Sequence, residues 1–160
     1  MAEKINEFRA GLALTLGTIS AALGWFGWLV VLYVISMAAD WITGSAAAMR
    51  SEEWSSKKAR DGIWHKAGSI VVVMVAMMAD TMISFIVGNI PGVPLPFQLD
   101  VMISPVVMIW YIAAEWGSII ENAVKMGAPV PKFLRKAVDM LHEVTDAAGD
   151  AILPDKKEQE

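Results

Sequence analysis

The chain has 160 residues, of which 56% are hydrophobic, and its mean hydropathy of +0.49 lies above that of an ordinary soluble domain. It contains no cysteine, which excludes disulfides and thiolate metal sites. Its two histidines, His65 and His142, are far apart, so no metal or other cofactor is expected. The net charge is −4, but the positions of the charges matter more than their sum. The apolar residues form three long blocks, and these blocks predict an all-α integral membrane protein with three transmembrane helices.

The first apolar block covers residues 10–39 and carries no charge. About 20 residues of helix cross a bilayer, so the block is too long for one minimal span and too short for two. We predict a single transmembrane helix over 10–39, tilted or with an interfacial first turn, after an N-terminal segment at 1–9. Small residues recur along this helix and allow close packing of helices: Gly17, Ser20, Gly24 and Gly27.

Two shorter apolar blocks, at residues 67–88 and 101–122, predict the second and third transmembrane helices. A basic loop at residues 40–66 is expected between the first two spans. Residues 89–100, between the second and third spans, contain three prolines. Because proline cannot continue a helix, we predict a short turn there, at the external surface.

The C-terminal part of the chain, residues 123–152, predicts a cytoplasmic amphipathic helix. Apolar residues recur there at spacings of three and four, which is typical of such a helix: Leu134, Val138, Leu141, Val144 and Ala148. Docking on the membrane surface and contact with another helix in an oligomer are equally open for this helix. The last residues, 153–160, form a charged tail that is expected to be disordered.

The positions of the basic residues predict which ends of the spans face the cytoplasm. Lysines and arginines occur in the first loop and after the third block, and none occurs in the proline-containing turn. Because short basic loops stay inside, the first loop and the C-terminus are expected in the cytoplasm and the N-terminus outside. In an alternative topology, the first block only dips into the membrane and both termini lie inside.

Polar residues form stripes within the second and third blocks, and each stripe has an acidic residue near its middle. A lone charge at bilayer depth costs about 2.5–3.5 kcal/mol on insertion scales, so these acids should face protein or water. The stripe residues lie at helical spacing: Asp80, Ser84, Tyr111, Glu115 and Ser118. Two interpretations remain open. The stripes either hold a three-helix unit together by hydrogen bonds or line a wet surface when several copies assemble.

Two further motifs flank the spans. An Asp-x-x-Thr-Gly motif ends the first block, at Asp40, Thr43 and Gly44. Since a carboxylate at a helix C-terminus opposes the helix dipole, a basic partner is expected, with Arg60 and Lys66 as candidates. A Gly-x-Pro-x-Pro-Lys step leads into the C-terminal helix at Gly127, Pro129, Pro131 and Lys132.

In their order and spacing, these motifs and the two intramembrane acids resemble the phage-lysis and toxin-secretion holin family over residues 35–141. The resemblance implies a protein that accumulates in the bacterial cytoplasmic membrane and assembles with copies of itself. It then opens a lesion that passes a cell-wall hydrolase or a toxin and times host lysis. The implied partners are therefore other copies, membrane lipids and, functionally, the hydrolase or toxin.

Two other classes of function stay open: a small oligomeric transporter or ion channel, and a membrane scaffold or holin antagonist. An enzyme is not expected, because no phosphate loop, metal cluster or nucleophile–base spacing occurs. Nucleic-acid binding is not expected either, because the basic residues flank the predicted spans.

Overall fold

A computed structural model of the protein describes residues 2–52, 54–90 and 103–152. These ranges contain four helices and no strand: α1 (Ala2–Arg50), α2 (Ser56–Asn89), α3 (Ile103–Lys125) and α4 (Lys132–Ile152). The predicted all-α fold class is confirmed. Most of the predicted external turn and the whole charged tail lie outside the described residues.

Three helical segments are long and apolar enough to cross a membrane, as predicted: Gly24–Arg50, Ala59–Asn89 and Ile103–Lys125. Their bounds differ from the blocks read from the sequence at the start of the first segment, which begins at Gly24 and not at residue 10, and around the first loop. The chain is helical through most of residues 40–66, and only residues 51–55 separate α1 from α2. Residues 41–49 contain no proline and no charge, so nothing in them stops α1 before Arg50.

The first helix changes direction at Gly24, where φ is 57° and ψ is −139°. Residues with a Cβ atom rarely adopt this conformation, so glycine is required for the break. The break separates residues 2–23 from the span-length segment that begins at Gly24. The break therefore divides the long first block, and the single helix predicted over 10–39 is a helical extension followed by the first part of a span-length segment.

Replacing Gly24 with alanine is expected to straighten α1, because the present backbone conformation would then cost about 1–3 kcal/mol. Spin labels on cysteines at the exposed positions Glu7 and Ile35 would report the change as a longer label-to-label distance. Gly17→Ala is the matched control, since a Cβ there meets nothing within 4 Å. An unchanged distance in Gly24→Ala would show that the break does not depend on glycine.

The third helix is the centre of the bundle and contacts each of the other three helices. Met108 and Ile112 of α3 are buried against Tyr33 and Met37 of α1 and Val73 of α2. This apolar cluster fixes α3 between α1 and α2. The polar groups described below lie above and below it on the same helices.

The connection from α3 to α4 gives the Gly-x-Pro-x-Pro-Lys step a structural reason. Gly127 has φ 89° and its N–H donates to the Val124 carbonyl (2.8 Å), while the Ala128 N–H donates to the Ala123 carbonyl (3.0 Å). This is the Schellman arrangement that ends a helix with glycine. The carbonyl of Pro131 then accepts the N–H of Leu134 (3.1 Å), which begins α4.

The fourth helix folds back along α3 of the same chain. Val138 lies 4.0 Å from the place of a Cβ on Gly117, and further along α4 the ring of His142 contacts Trp110. The two helices therefore run antiparallel. Of the two environments left open for α4, membrane surface or another helix, the structure shows contact with a helix, although it is a helix of the same chain.

Candidate functional site

An ion cluster joins the three span-length helices. The Lys66 ammonium of α2 donates to the Asp40 carboxylate of α1 at 3.0 Å and also to the Glu115 carboxylate of α3. The three side chains are between 12% and 20% exposed, so most of the cluster is hidden from solvent. Of the two basic partners expected for Asp40, the structure brings Lys66 to it, whereas Arg60 is exposed.

One neutral side chain, the amide of Asn122, also binds the carboxylate of Asp40. The amide of Asn122 donates to the second carboxylate oxygen of Asp40 (3.1 Å) and to the Thr43 hydroxyl (3.3 Å). A Cβ on Gly44 would lie 3.4 Å from the same amide nitrogen, so glycine lets α1 approach α3 at this level. The Asp-x-x-Thr-Gly motif thus presents one face of α1 to Asn122.

Replacing Gly44 with leucine is expected to lower the free energy of unfolding by about 1–3 kcal/mol, since the larger side chain must push α1 from α3. Thermal unfolding in detergent micelles would measure the loss. Gly68→Leu is the control, because a Cβ at Gly68 meets nothing within 4 Å. Equal melting temperatures for the two variants would contradict a close approach at Gly44.

The sequence reading put Asp40 and Lys66 at the two ends of a loop, but both lie inside span-length helical segments. Glu115 stands near the middle of α3. The cluster holds one positive and two negative groups, so a single unit of negative charge is left over where the helices meet. The hydrogen bond from Asn122 to Asp40 helps to offset the cost of sheltering that charge.

Two more polar contacts link the same helices. The Tyr33 hydroxyl of α1 donates to the Ser69 hydroxyl of α2 (2.8 Å), which donates in turn to the carbonyl of Lys66 (2.8 Å). The Trp116 indole N–H of α3 donates to the Ser36 hydroxyl of α1 (2.9 Å). Within the described ranges, no buried side-chain nitrogen or oxygen lacks a hydrogen-bond partner. The polar groups therefore act as interhelical bonds in an apolar setting.

The carboxylate of Asp80 binds the beginning of α3. One oxygen accepts the N–H of Ile103 (2.7 Å), the other accepts the N–H of Ser104 (2.8 Å), and Asp80 is only 6% exposed. The first amides of a helix have no partner within the helix, and the positive end of the helix dipole favours an anion there. Asp80 therefore caps α3 from a neighbouring helix.

The structure brings some of the predicted polar stripe together and separates the rest. Asp80 and Glu115 do not meet, because Asp80 binds the start of α3 and Glu115 lies near its middle. Tyr111 is half-buried and its ring lies 6.3 Å from the ring of Tyr33, whereas Ser84 and Ser118 are exposed.

The small residues of α1 that were predicted to pack against other helices differ in their surroundings. Gly27 is buried, whereas Gly17 is exposed and Gly24 forms the break. The side chain of Ser20 lies outside the described residues. Close packing within one chain therefore uses Gly27 among these positions, and Gly17 stays accessible to other molecules.

The contact between α3 and α4 has a polar component that the sequence analysis did not predict. The Trp110 indole N–H donates to the Asp146 carboxylate (3.0 Å), and its ring meets the ring of His142 edge to face at 5.3 Å. Val138, Thr145 and Ile152 are buried on the same side of α4. One sequence signal was present, since an indole N–H in an apolar helix needs an acceptor.

The outer face of α2 is apolar along most of its length. The exposed side chains on it are large and uncharged: Val71, Met74, Val75, Met78, Met82 and Phe85. An exposed apolar surface of this extent is typical of a helix that contacts lipid or another membrane helix.

Comparisons with known proteins identify a family and several relatives. A family model described as the bacteriophage holin family matches residues 17–143. An uncharacterised protein of Halalkalibacterium halodurans is 30% identical over 71% of this chain and 79% of its own length. Two Clostridium perfringens proteins are each 28% identical. One is uncharacterised and matches over 71% of this chain and 74% of its own length. The other, an uncharacterised 14.9 kDa protein of the nagH 3' region, matches over 86% and 95%. No solved structure matches the chain.

Proposed function

The chain belongs to the bacteriophage holin family, and from this premise we propose that copies of it assemble in the bacterial cytoplasmic membrane and open a lesion. The family is one of non-enzymatic membrane proteins, and the three span-length apolar helices make this chain a multi-pass membrane protein. The lesion lets a cell-wall hydrolase or a toxin leave the cytoplasm, and the time of its opening sets the time of host lysis.

The extent of the family match carries this proposal. The match runs from residue 17 to residue 143 and takes in all three span-length segments. The surfaces of these segments support assembly, because only between 17% and 28% of each apolar window is buried within the chain. Most of the apolar surface is thus left for lipid and for other copies.

We place the α1–α2 connection and the start of α4 in the cytoplasm and the N-terminus outside. Basic residues at both connections support this orientation, with Arg50 and Lys57 at the first and Lys125 and Lys132 at the second. The two connections lie at the same end of the bundle, since the Arg50 guanidinium is 3.7 Å from the place of a Cβ on Gly127. Positive residues are thereby concentrated at one end.

Controlled expression in bacteria tests the proposal. Cells carrying the chain and a folded cytoplasmic reporter enzyme are expected to release the reporter abruptly, after a delay, and to lyse when a cell-wall hydrolase is coexpressed. Retention of the reporter while the protein is present in the membrane would contradict a lesion. Saturable flux of one solute without protein release would identify a transporter instead.

A further inference from the structure

The fourth helix lies beside the central part of a span-length helix. Along α4, Val138 lies against Gly117 and Asp146 accepts a hydrogen bond from Trp110. Gly117 and Trp110 both belong to α3, away from its two ends. If α3 crosses the bilayer, this part of α4 is at the depth of the hydrocarbon.

One exposed face of α4 is ionic. It carries two basic residues near the start and a series of acids after them: Arg135, Lys136, Asp139, Glu143 and Asp150. The helix also exposes the apolar side chains of Phe133, Met140 and Val144. Ionised side chains on a lipid-facing surface at that depth are strongly unfavourable. A single copy in lipid therefore cannot keep α4 in the observed place, and water must cover this face when α4 packs on α3.

We propose that α4 forms the water-facing wall of the assembled lesion. The inference rests on the proposed function, because the water is supplied by an aqueous space shared between copies of this chain. In a solitary copy α4 stays at the cytoplasmic side. As copies gather, α4 folds onto α3 with its charges toward the shared space, while α2 keeps its apolar face for lipid. Asp80 and Glu115 then hold the helices of each copy together and do not line the opening.

The wall has a predictable electrostatic character. The acids Asp139, Glu143 and Asp150 follow the basic residues along α4, so the part of the wall furthest from the cytoplasm is acidic. Rings of carboxylates attract cations and repel anions in narrow pores. While an opening is still narrow, it is expected to conduct potassium better than chloride.

A cross-link between the two helices tests the arrangement. The chain contains no cysteine, so a Gly117→Cys/Val138→Cys pair is unique, and the two positions are in contact, since Cγ1 of Val138 lies 4.0 Å from the place of a Cβ on Gly117. Oxidation in membranes after release has begun is expected to form an intramolecular cross-link, with reporter release continuing undiminished. The same double variant kept reduced is the control for folding and activity. A pair that fails to cross-link in open membranes, or a cross-link that stops release, would overturn the inference.

A second measurement avoids the paired substitution. A fluorescent label on Glu143→Cys is expected to be quenched at least several-fold more by aqueous iodide than by a quencher attached to lipid tails. A label on Phe85→Cys, on the apolar face of α2, should show the reverse preference. If the lipid-borne quencher reduces the fluorescence of the Glu143 label as much as iodide does, the proposal that α4 faces water is overturned. Reporter release without cross-link or iodide quenching would defeat only this inference, whereas no release at all would defeat the proposed function.

Discussion

Replacing Lys66 with methionine is expected to lower the free energy of unfolding by about 3 kcal/mol, near the lower end for breaking a buried ion pair. The ammonium lies between the carboxylates of Asp40 and Glu115, and all three groups are largely hidden from solvent. Methionine keeps the length and apolar stem of lysine, so the loss comes from two carboxylates left without a cation. Thermal unfolding in detergent micelles measures the effect.

The charge balance of the cluster gives this prediction its controls. Arg60→Met removes a positive charge from an exposed position on the same helix and should leave the melting temperature unchanged. Adding Glu115→Gln to Lys66→Met removes one uncompensated carboxylate and should recover part of the lost stability. A Lys66→Met protein with the same melting temperature as the wild type would show that the cluster does not hold the helices together.

Replacing Asp80 with leucine is expected to leave membrane insertion intact, destabilise the start of α3 and shift the time of lysis. The carboxylate accepts the N–H groups of Ile103 and Ser104, and loss of a helix cap costs about 1–2 kcal/mol. Faster hydrogen exchange at these two amides would show the local effect. The delay between induction and reporter release would show the functional one.

A polar residue on the same helix provides the comparison for Asp80. Ser84→Leu makes a similar change at an exposed position and should alter neither the two amides nor the delay. Asp80→Asn retains one acceptor oxygen and should give an intermediate result. Unchanged exchange at Ile103 and Ser104 in Asp80→Leu would contradict the capping role.

The spans themselves were accessible from sequence, because a membrane-crossing helix needs a long apolar run and few other structures do. The ends of the first loop were harder to predict from the sequence. Asp40 and Lys66 read as boundaries when each charge is counted alone, yet they neutralise each other in the structure and the helices run past them. The sequence offered both Arg60 and Lys66 as partners of Asp40, and the packing of the helices, which one sequence does not reveal, brings Lys66 to it.

The polar stripes show the same limit. Spacing predicted that Asp80 and Glu115 face protein or water, and in the structure both carboxylates have partners in the bundle. It could not indicate that Asp80 meets the beginning of α3, because residues on the far side of the proline-containing segment supply the amides. The amphipathic pattern of α4 predicted a helix with one buried face, but α3 of the same chain was not foreseen as its partner.

Release from sealed vesicles tests the proposed assembly most directly. The purified chain is reconstituted at increasing protein-to-lipid ratios into vesicles that contain a small dye and a folded protein. If copies must assemble to open a lesion, the dye and the folded protein are both released above a threshold density of the chain. Release then rises more steeply than the amount of protein. If the chain is inserted and folded but the vesicles retain the dye and the folded protein at every density, the proposed assembly is contradicted.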